Sequence, residues 1–499
     1  MRTEGGGTRS GAETDGAKTS GATSGGAVGA GNAAEAAPNN HGQPPAGLAS
    51  ELRQAYSMGF TRSVPWRQAQ LRALAEMLRA GAGALSEAMA DDMGKPGTEA
   101  WLTDIASVRR DIEAMARLLP RWAAPQRRQV PWQLWPARAQ VVPEPLGAVL
   151  VIGPWNYPVR CLVLPVASAI AAGNTVAAKP SELAPATALT LSRLAQEHLD
   201  SRAVRLALGG PEVAQGLLEQ RWDHIFFTGG TRTGRVVMAA AARHLTPVTL
   251  ELGGKNPAIV DCTAAQSHAA RRVAWGKFLN AGQTCVAPDF VLVDRRAEGP
   301  FLEALTSHVR HFYGEDPVVS PDFGRVVNGA HLERLTGLIS ATKGRVVAGG
   351  RAVPDQLYLA PTVVADVGWD DPLMQEEIFG PVLPVVAYED IDDVLATLAE
   401  REKPLAVYVY TRDRRLAERV VAETSSGGVC VNHNCVQLAV PSLPFGGVGA
   451  SGTGAYHGKA GFDTFSHQKA VLRSPAGAEV PVMYPPYGRT KRWLLRKVV

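Results

Sequence analysis

The chain has 499 residues, enough for two or three domains with sizeable cores, and its 45% hydrophobic and 20% charged content excludes a disordered or fibrous protein. A formal net charge of +4 gives no electrostatic case for a nucleic-acid partner. The five cysteines (Cys161, Cys262, Cys285, Cys430 and Cys435) contain no CxxC pair, which argues against a zinc site or disulfide framework and for a reducing, cytoplasmic setting.

Residues 1–47 are mainly Gly, Ala, Ser and Thr, too poor in apolar surface to offset the entropy of ordering, and are expected to be disordered. Glu4, Glu13, Asp15 and Glu35 argue against a transit peptide, and no apolar stretch marks a secretory signal. From 49 to 122 apolar residues recur at helical spacing, as in QLRALAEMLRAGAGALSEAMADDM. QVVPEP (140–145) then reads as a segment that pairs outside the main sheet.

The texture changes at GAVLVIGP (147–154), an apolar, β-branched run closed by Gly-Pro. A helical stretch follows to Ala172, and NTVAAKPS (174–181) reads as the next strand. Helices over 184–199, 211–220 and 232–245 then alternate with the strands AVRLAL, HIFFTGG and PVTLELGG. Strands alternating with helices of this length predict a parallel, doubly wound sheet. A second α/β unit repeats the texture, with strands NPAIVD, DFVLVD, TVVADV and LAVYVYT and helices near 265–280, 298–311, 391–401 and 413–424. GGVCVNHN (427–434) is a late strand. The tail GRTKRWLLRKVV (488–499) is basic and partly apolar; docking on the protein or a partner subunit is preferred to contact with a membrane surface. No run reaches the roughly 20 apolar residues that span a bilayer.

Five short motifs carry candidate chemistry. NAGQTC (280–285) presents Cys285 behind a small-residue turn, as a nucleophile or as a buried inert thiol. FFTGGTRTG (226–234) sets Gly229, Gly230, Thr231 and Gly234 between a strand and a helix, where backbone amides suit a phosphate, although an ordinary strand–helix turn fits as well. KPSE (179–182) ends a strand, so Lys179 and Glu182 reach ribose hydroxyls or simply form a solvated loop. PWNYP (154–158) puts Asn156 at the same sheet edge, as an oxyanion donor or as a turn residue bonding its own backbone. ELGGK (251–255) offers Glu251 as a general base for water, or as half of an interdomain salt bridge with Lys255.

Taken with EEIFGPVLPV (376–385) and PFGGVGASG (444–452), these blocks resemble the aldehyde dehydrogenase superfamily. AWGKFLNAGQTCVAPDF (274–290) and GAYHGKAGFDTFSHQK (454–469) look most like its class 3 branch. The resemblance runs from about residue 50 to about 475. It implies an α/β fold with a Rossmann-type NAD-binding domain (48–136 and 147–250), a second α/β catalytic domain (251–427) and a small β oligomerisation arm with the C-terminal segment (137–146 and 428–499), assembled as a homodimer.

The resemblance also implies roles. Cys285 attacks the aldehyde to give a thiohemiacetal and then a thioester, the Asn156 amide and the Cys285 N–H hold the oxyanion, and Glu251 activates the hydrolytic water. Lys179 and Glu182 bind the adenosine ribose, Gly229 to Gly234 lie by the pyrophosphate, and Glu377 with Phe379 positions the nicotinamide ribose and ring. Glu182 disfavours a 2′-phosphate, so NAD is the first choice, with NADP possible; no metal is implied. Trp155, Tyr157, Trp275 and Thr284 are the pocket candidates, and aromatic walls favour medium-chain or aromatic aldehydes.

The sequence departs from the class 3 pattern at VNHNCVQLAV (431–440), where Asn-His-Asn replaces the usual Asn-Asp and Gln437 stands at a common His position. His433 reads as a surface histidine and Cys435 as a buried structural thiol. A CoA-acylating relative is the main rival, and Glu251 counts against it. A cysteine hydrolase or a non-catalytic protein on the same fold are the others.

Overall fold

The computed structural model describes residues 47–477 and 481–498. The tail expected at 1–47 lies outside the described residues except for Gly47. In chain order, the first nine strands are β1 (Gln126–Arg128), β2 (Arg138–Pro145), β3 (Ala148–Ile152), β4 (Thr175–Lys179), β5 (Val204–Leu206), β6 (His224–Thr228), β7 (Val248–Glu251), β8 (Pro257–Val260) and β9 (Phe290–Asp294). The rest are β10 (Arg345–Ala348), β11 (Ala352–Val353), β12 (Tyr358–Leu359), β13 (Thr362–Ala365), β14 (Val382–Tyr388), β15 (Ala406–Tyr410), β16 (Gly428–Val431), β17 (Gly452–Thr453) and β18 (Ser466–Arg473).

β3 explains why the first sheet is covered on both faces. Its alternate residues point to opposite sides. Val149 and Val151 join a core with Leu74, Met115, Leu164 and Ile170, drawn from helices Val64–Ala80, Ser107–Trp122 and Arg160–Ala172. Ala148, Leu150 and Ile152 join another with Leu52, Val213, Trp222 and Val237. A strand apolar on every residue suits a parallel sheet with helices on both faces. The sheet order is β17-β7-β6-β3-β4-β5, parallel except at the short edge strand β17. The chain runs outward from β3 to β5, then returns to add β6 and β7 on the other side of β3. The order therefore reverses between β3 and β6, and ligands of such sheets bind beyond the strand C-termini at that point.

The second sheet has order β10-β13-β14-β9-β8-β15-β16, with only the edge strand β10 antiparallel. It repeats the logic: Val291 and Val293 face one core, Phe290 and Leu292 the other. QVVPEP pairs outside both sheets, as expected: β2 lies between β1 and β18 in a three-stranded antiparallel sheet.

Two features go beyond the sequence reading. β16, at the start of the segment expected to hold the arm and the C-terminal stretch, pairs in parallel with β15 and extends the second sheet. Helix Arg414–Glu423 carries the chain back to that edge, so GVCV adds as one more crossover strand. EEIFGPVLPV, read only as a motif, leads into β14, an interior strand of the second sheet. No helix among the described residues is long and apolar enough to cross a membrane.

Candidate active site

Three parallel strands end where the chemistry gathers. Glu251 is the last residue of β7, Asn156 lies just beyond β3, and Gly229 and Gly230 follow β6. Cys285 comes from the second α/β unit, on the turn after helix Gln266–Phe278.

That turn is strained and braced. Asn280, Ala281 and Gly282 have φ of 52°, 52° and 76°, three successive left-handed residues. Gly282 is required twice over: its φ is positive, and an added Cβ would stand 2.2 Å from the Gly380 carbonyl oxygen. Asn280 and Ala281 lack that freedom, so neighbouring groups hold them there. A Glu99 carboxylate oxygen accepts from the Asn280 N–H at 3.0 Å, and Gln283 Nε2 donates to the Asn280 and Arg325 carbonyls at 3.1 and 2.9 Å. Asn156 Nδ2 donates to the Gln283 carbonyl at 2.9 Å, which ties the β3 loop to the residue two before Cys285. Below the turn, Asn256 Nδ2 donates to the Cys285 carbonyl at 2.8 Å.

Asn156 is itself held from behind. Its carbonyl accepts from Asn280 Nδ2 at 2.9 Å and from Lys95 Nζ at 3.2 Å. Lys95 is fully buried, pairs with the equally buried Asp104 at 2.6 Å, and lies 3.8 Å from the centre of the Tyr157 ring. Asp104 in turn accepts from the Arg160 backbone N–H at 3.0 Å, at the start of the helix after β3. Neither Lys95 nor Glu99 was among the sequence-derived site residues; MGKP (93–96) reads as an ordinary helix end, and only the fold brings it under Asn156.

Cys285 keeps partial access to solvent. Burial pushes its thiol well above the ordinary value, and the nearby thiols and carboxyls of Cys161, Glu377, Glu251 and Cys435 push the same way. Burial alone does the same to Glu251, whose two carboxyl oxygens are buried and have no hydrogen-bond partner among the described residues. The alternative salt bridge from Glu251 to Lys255 does not form: Lys255 pairs with Asp289 instead. Burial thus disfavours the charged form of both acids.

The pocket candidates divide. Tyr157 hydroxyl and Thr284 Oγ1 share a hydrogen bond of 2.7 Å beside the turn. Trp275 packs with Cys285, Leu438 and Phe445 against the buried group Val286, Leu405 and Cys435. Trp155 instead meets Phe379 and His331 edge-on, with ring centroids 5.5 and 5.7 Å apart, which puts it beside the segment of Glu377. In the departing loop, His433 Nδ1 accepts from the Asn434 N–H and its ring meets Trp275 edge-on; Cys435 Sγ lies 3.4 Å from the Val286 carbonyl and Gln437 Nε2 donates to the Tyr408 hydroxyl.

The nucleotide candidates lie along the other side of the crevice. Lys179 Nζ pairs with Glu182 at 2.7 Å beside an open cleft of about 330 Å³ lined by Pro180, Ser181, Glu182, Leu189, Leu208 and Gly210. Gly230 caps helix Thr231–Ala242 and nothing lies within 4 Å of where its Cβ would be. Gly234 has a different part: a Cβ there would stand 2.8 Å from Leu252, so it serves helix–strand packing. Thr231 Oγ1 donates to the Ala450 carbonyl at 3.3 Å, while Thr228 Oγ1, just ahead of the glycines, is buried without a partner among the described residues.

Gly253 leaves room for Glu377, whose carboxylate oxygen would be 2.1 Å from an added Cβ. Burial lifts the Glu377 carboxyl to about 8, and the same cause pulls the buried Lys277 amine down to about 8. An open cleft beside a Lys–Glu pair, a glycine-opened helix N-terminus and an orphaned hydroxyl fit a dinucleotide.

The aldehyde dehydrogenase family model matches residues 52–471. A relative from Rattus norvegicus, aldehyde dehydrogenase family 3 member B1, is 45% identical over 450 residues, covering 89% of this chain and 95% of that protein. Among solved structures, the substrate-bound state of Staphylococcus aureus AldH superposes with a TM-score of 0.88 at 39% identity, covering 90% of this chain and 98% of that one. The P. syringae AldA indole-3-acetaldehyde dehydrogenase in complex with NAD+ gives a TM-score of 0.79 at 26% identity, covering 86% and 88%.

Proposed function

The chain belongs to the aldehyde dehydrogenase family, in its family 3 branch, and is an NAD(P)-dependent oxidoreductase of aldehydes; from that premise we propose that it converts medium-chain aliphatic or aromatic aldehydes to carboxylic acids through a thioester on Cys285. The observation that carries this reading is the tie between Asn156 and Gln283, which sets an amide donor beside the turn that bears the thiol.

On this reading the Cys285 thiolate adds to the aldehyde carbon, and the new oxyanion is met by the second N–H of the Asn156 amide and the backbone N–H of Cys285. Bound NAD(P)+ supplies the hydride acceptor. Glu251, its affinity for protons raised by burial, takes a proton from the water that adds to the thioester; collapse releases the carboxylic acid and returns the sulfur. Lys179 and Glu182 hold the adenosine ribose, Gly229, Gly230 and Thr231 flank the pyrophosphate, and Glu377 with Phe379 and Trp155 forms the nicotinamide side.

Tyr157 and Trp275 beside the turn support apolar aldehydes, and the Glu182 carboxylate supports NAD over NADP. The likeness to family 3 members supports a homodimer, and five free thiols support a cytoplasmic setting. The test is initial rates on aliphatic aldehydes of increasing length and on benzaldehydes, with NAD and with NADP. Rates that climb with apolar size, and turnover without coenzyme A, are expected. A preference for short or charged aldehydes, or a requirement for coenzyme A, would overturn the assignment.

A further inference from the structure

The loop VNHNCVQLAV, where the sequence leaves the class 3 pattern, has no part in the reaction as written above. It leaves the end of β16, and two asparagines pin it. Asn432 exchanges two hydrogen bonds of 2.9 Å with the Thr411 backbone. Asn434 Nδ2 donates to the Arg272 carbonyl and to the Tyr410 hydroxyl, each at 2.8 Å. Cys435 follows directly, in left-handed backbone with φ of 59°.

The pinned loop sets a second thiol against the nucleophile. Cys435 Sγ donates to the Val286 carbonyl at 3.4 Å, one residue beyond Cys285. Val286, Leu405 and Cys435 form one buried group, and Cys285 packs against that group. Cys435 is also among the groups whose charge bears on the Cys285 thiol. The Tyr408 hydroxyl donates to the same Val286 carbonyl, which therefore keeps a partner when the Cys435 sulfur turns away. Cys161, the other thiol near the site, sits on helix Arg160–Ala172 and outside this group.

Exposure divides the pair. Cys285 is half-buried and open to small reactants. Cys435 is only 7% exposed, and burial pushes its thiol up to about 12, so it is inert towards an oxidant on its own.

We propose that Cys285 and Cys435 form a redox-modification site, at which a hydroperoxide oxidises Cys285 and Cys435 then closes a reversible disulfide with it. The inference rests on the reading of Cys285 as the accessible nucleophile. Its thiolate attacks one peroxide oxygen and the O–O bond breaks, leaving a sulfenic acid on Cys285 and, with one proton, an alcohol or water. The Cys435 sulfur attacks the sulfenic sulfur. The S–S bond forms, the S–O bond breaks, and the departing hydroxide takes the Cys435 proton to become water. Two thiols lose two electrons in all, and the peroxide gains them. The disulfide caps the nucleophile before a second peroxide carries it to the irreversible sulfinic acid, and a dithiol restores both residues.

The test treats the full chain with hydrogen peroxide. Aldehyde-dependent NADH formation is then read before and after dithiothreitol, beside non-reducing peptide mapping with fragmentation that separates Cys430 from Cys435. The parent should lose about tenfold or more in rate, regain most of it with dithiothreitol, and show a Cys285–Cys435 cross-link. Cys435→Ser keeps a donor for the Val286 carbonyl; its loss of rate should not reverse, with Cys285 found as the sulfinic acid. The map of the parent needs no variant and decides by itself. Cys285 left reduced, Cys285 oxidised without a cross-link, a cross-link to Cys161 or Cys430, or equal recovery of parent and Cys435→Ser would each overturn the proposal. Failure of the nucleophile reading shows separately, as no NADH from the untreated parent, and the thiol map still decides the disulfide.

Discussion

The Asn156 side-chain amide donates to the carbonyl of Gln283 at 2.9 Å, across 127 residues of sequence. One N–H of that amide thus fixes the distance between the β3 loop and the turn of Cys285, which leaves the other for the oxyanion. Asn156→Ala removes both. It should lower kcat by about 10²–10³, in line with loss of a single oxyanion donor, with a smaller change in KM. Steady-state kinetics on the purified variant would check it, and a loss confined to KM would contradict the role.

Glu251 lies buried with no hydrogen-bond partner among the described residues, and burial raises its pKa well above the ordinary carboxylate value. A base must be deprotonated to work, so thioester hydrolysis should rise with pH through that raised value. Glu251→Gln should keep the first-turnover burst of reduced cofactor yet lose steady-state turnover by about 10²–10⁴, with no rising limb. Stopped-flow absorbance separates the two phases.

The Lys95–Asp104 pair, fully buried at 2.6 Å, supports Asn156 through its carbonyl. Removing one partner strands the other charge, so Lys95→Met should cost about 3–5 kcal/mol of stability. The double variant Lys95→Met/Asp104→Leu should recover much of that stability but not the full activity, because the Asn156 carbonyl still loses its donor. Chemical denaturation and kcat on the three proteins test both halves.

Glu99 ties down the left-handed turn at Asn280, and burial lifts its carboxyl from 4.5 to about 7. A folded-state pKa above the unfolded value means that folding takes up protons in between. This contribution is fully present below about 4.5 and disappears as pH rises through about 7, a swing on the order of 3 kcal/mol. Glu99→Gln should therefore flatten the decline of Tm between pH 5 and pH 8 that the parent shows from this group. Thermal unfolding across that window is the check.

The sequence made the sheets legible because a parallel strand covered on both faces is apolar on every residue, as AVLVI and FVLVD are. Asn156, Glu251 and Cys285 were legible because each closes a strand or turn in a recognisable block. What supports them was not. The Glu99–Asn280 bond spans 181 residues and the Lys95–Asn156 bond 61, and nothing local in MGKPGTE marks those side chains as buried. Side-chain direction was equally hidden: Trp155 and Tyr157 sit two apart in PWNYP, yet one meets Phe379 and the other Thr284. That GVCV joins the second sheet was not legible, because it carries no signal for which sheet edge it takes; the crossover geometry decides that.

The central claim is that the substrate is carried as a thioester on Cys285, and the most direct measurement is peptide mass spectrometry of the Glu251→Gln variant quenched after one turnover with an aldehyde and NAD. The account predicts an acyl adduct of the expected mass on the peptide containing Cys285, absent when Cys285 is replaced by Ala. No adduct despite formation of reduced cofactor, or an adduct on Cys161 or Cys435, would contradict it.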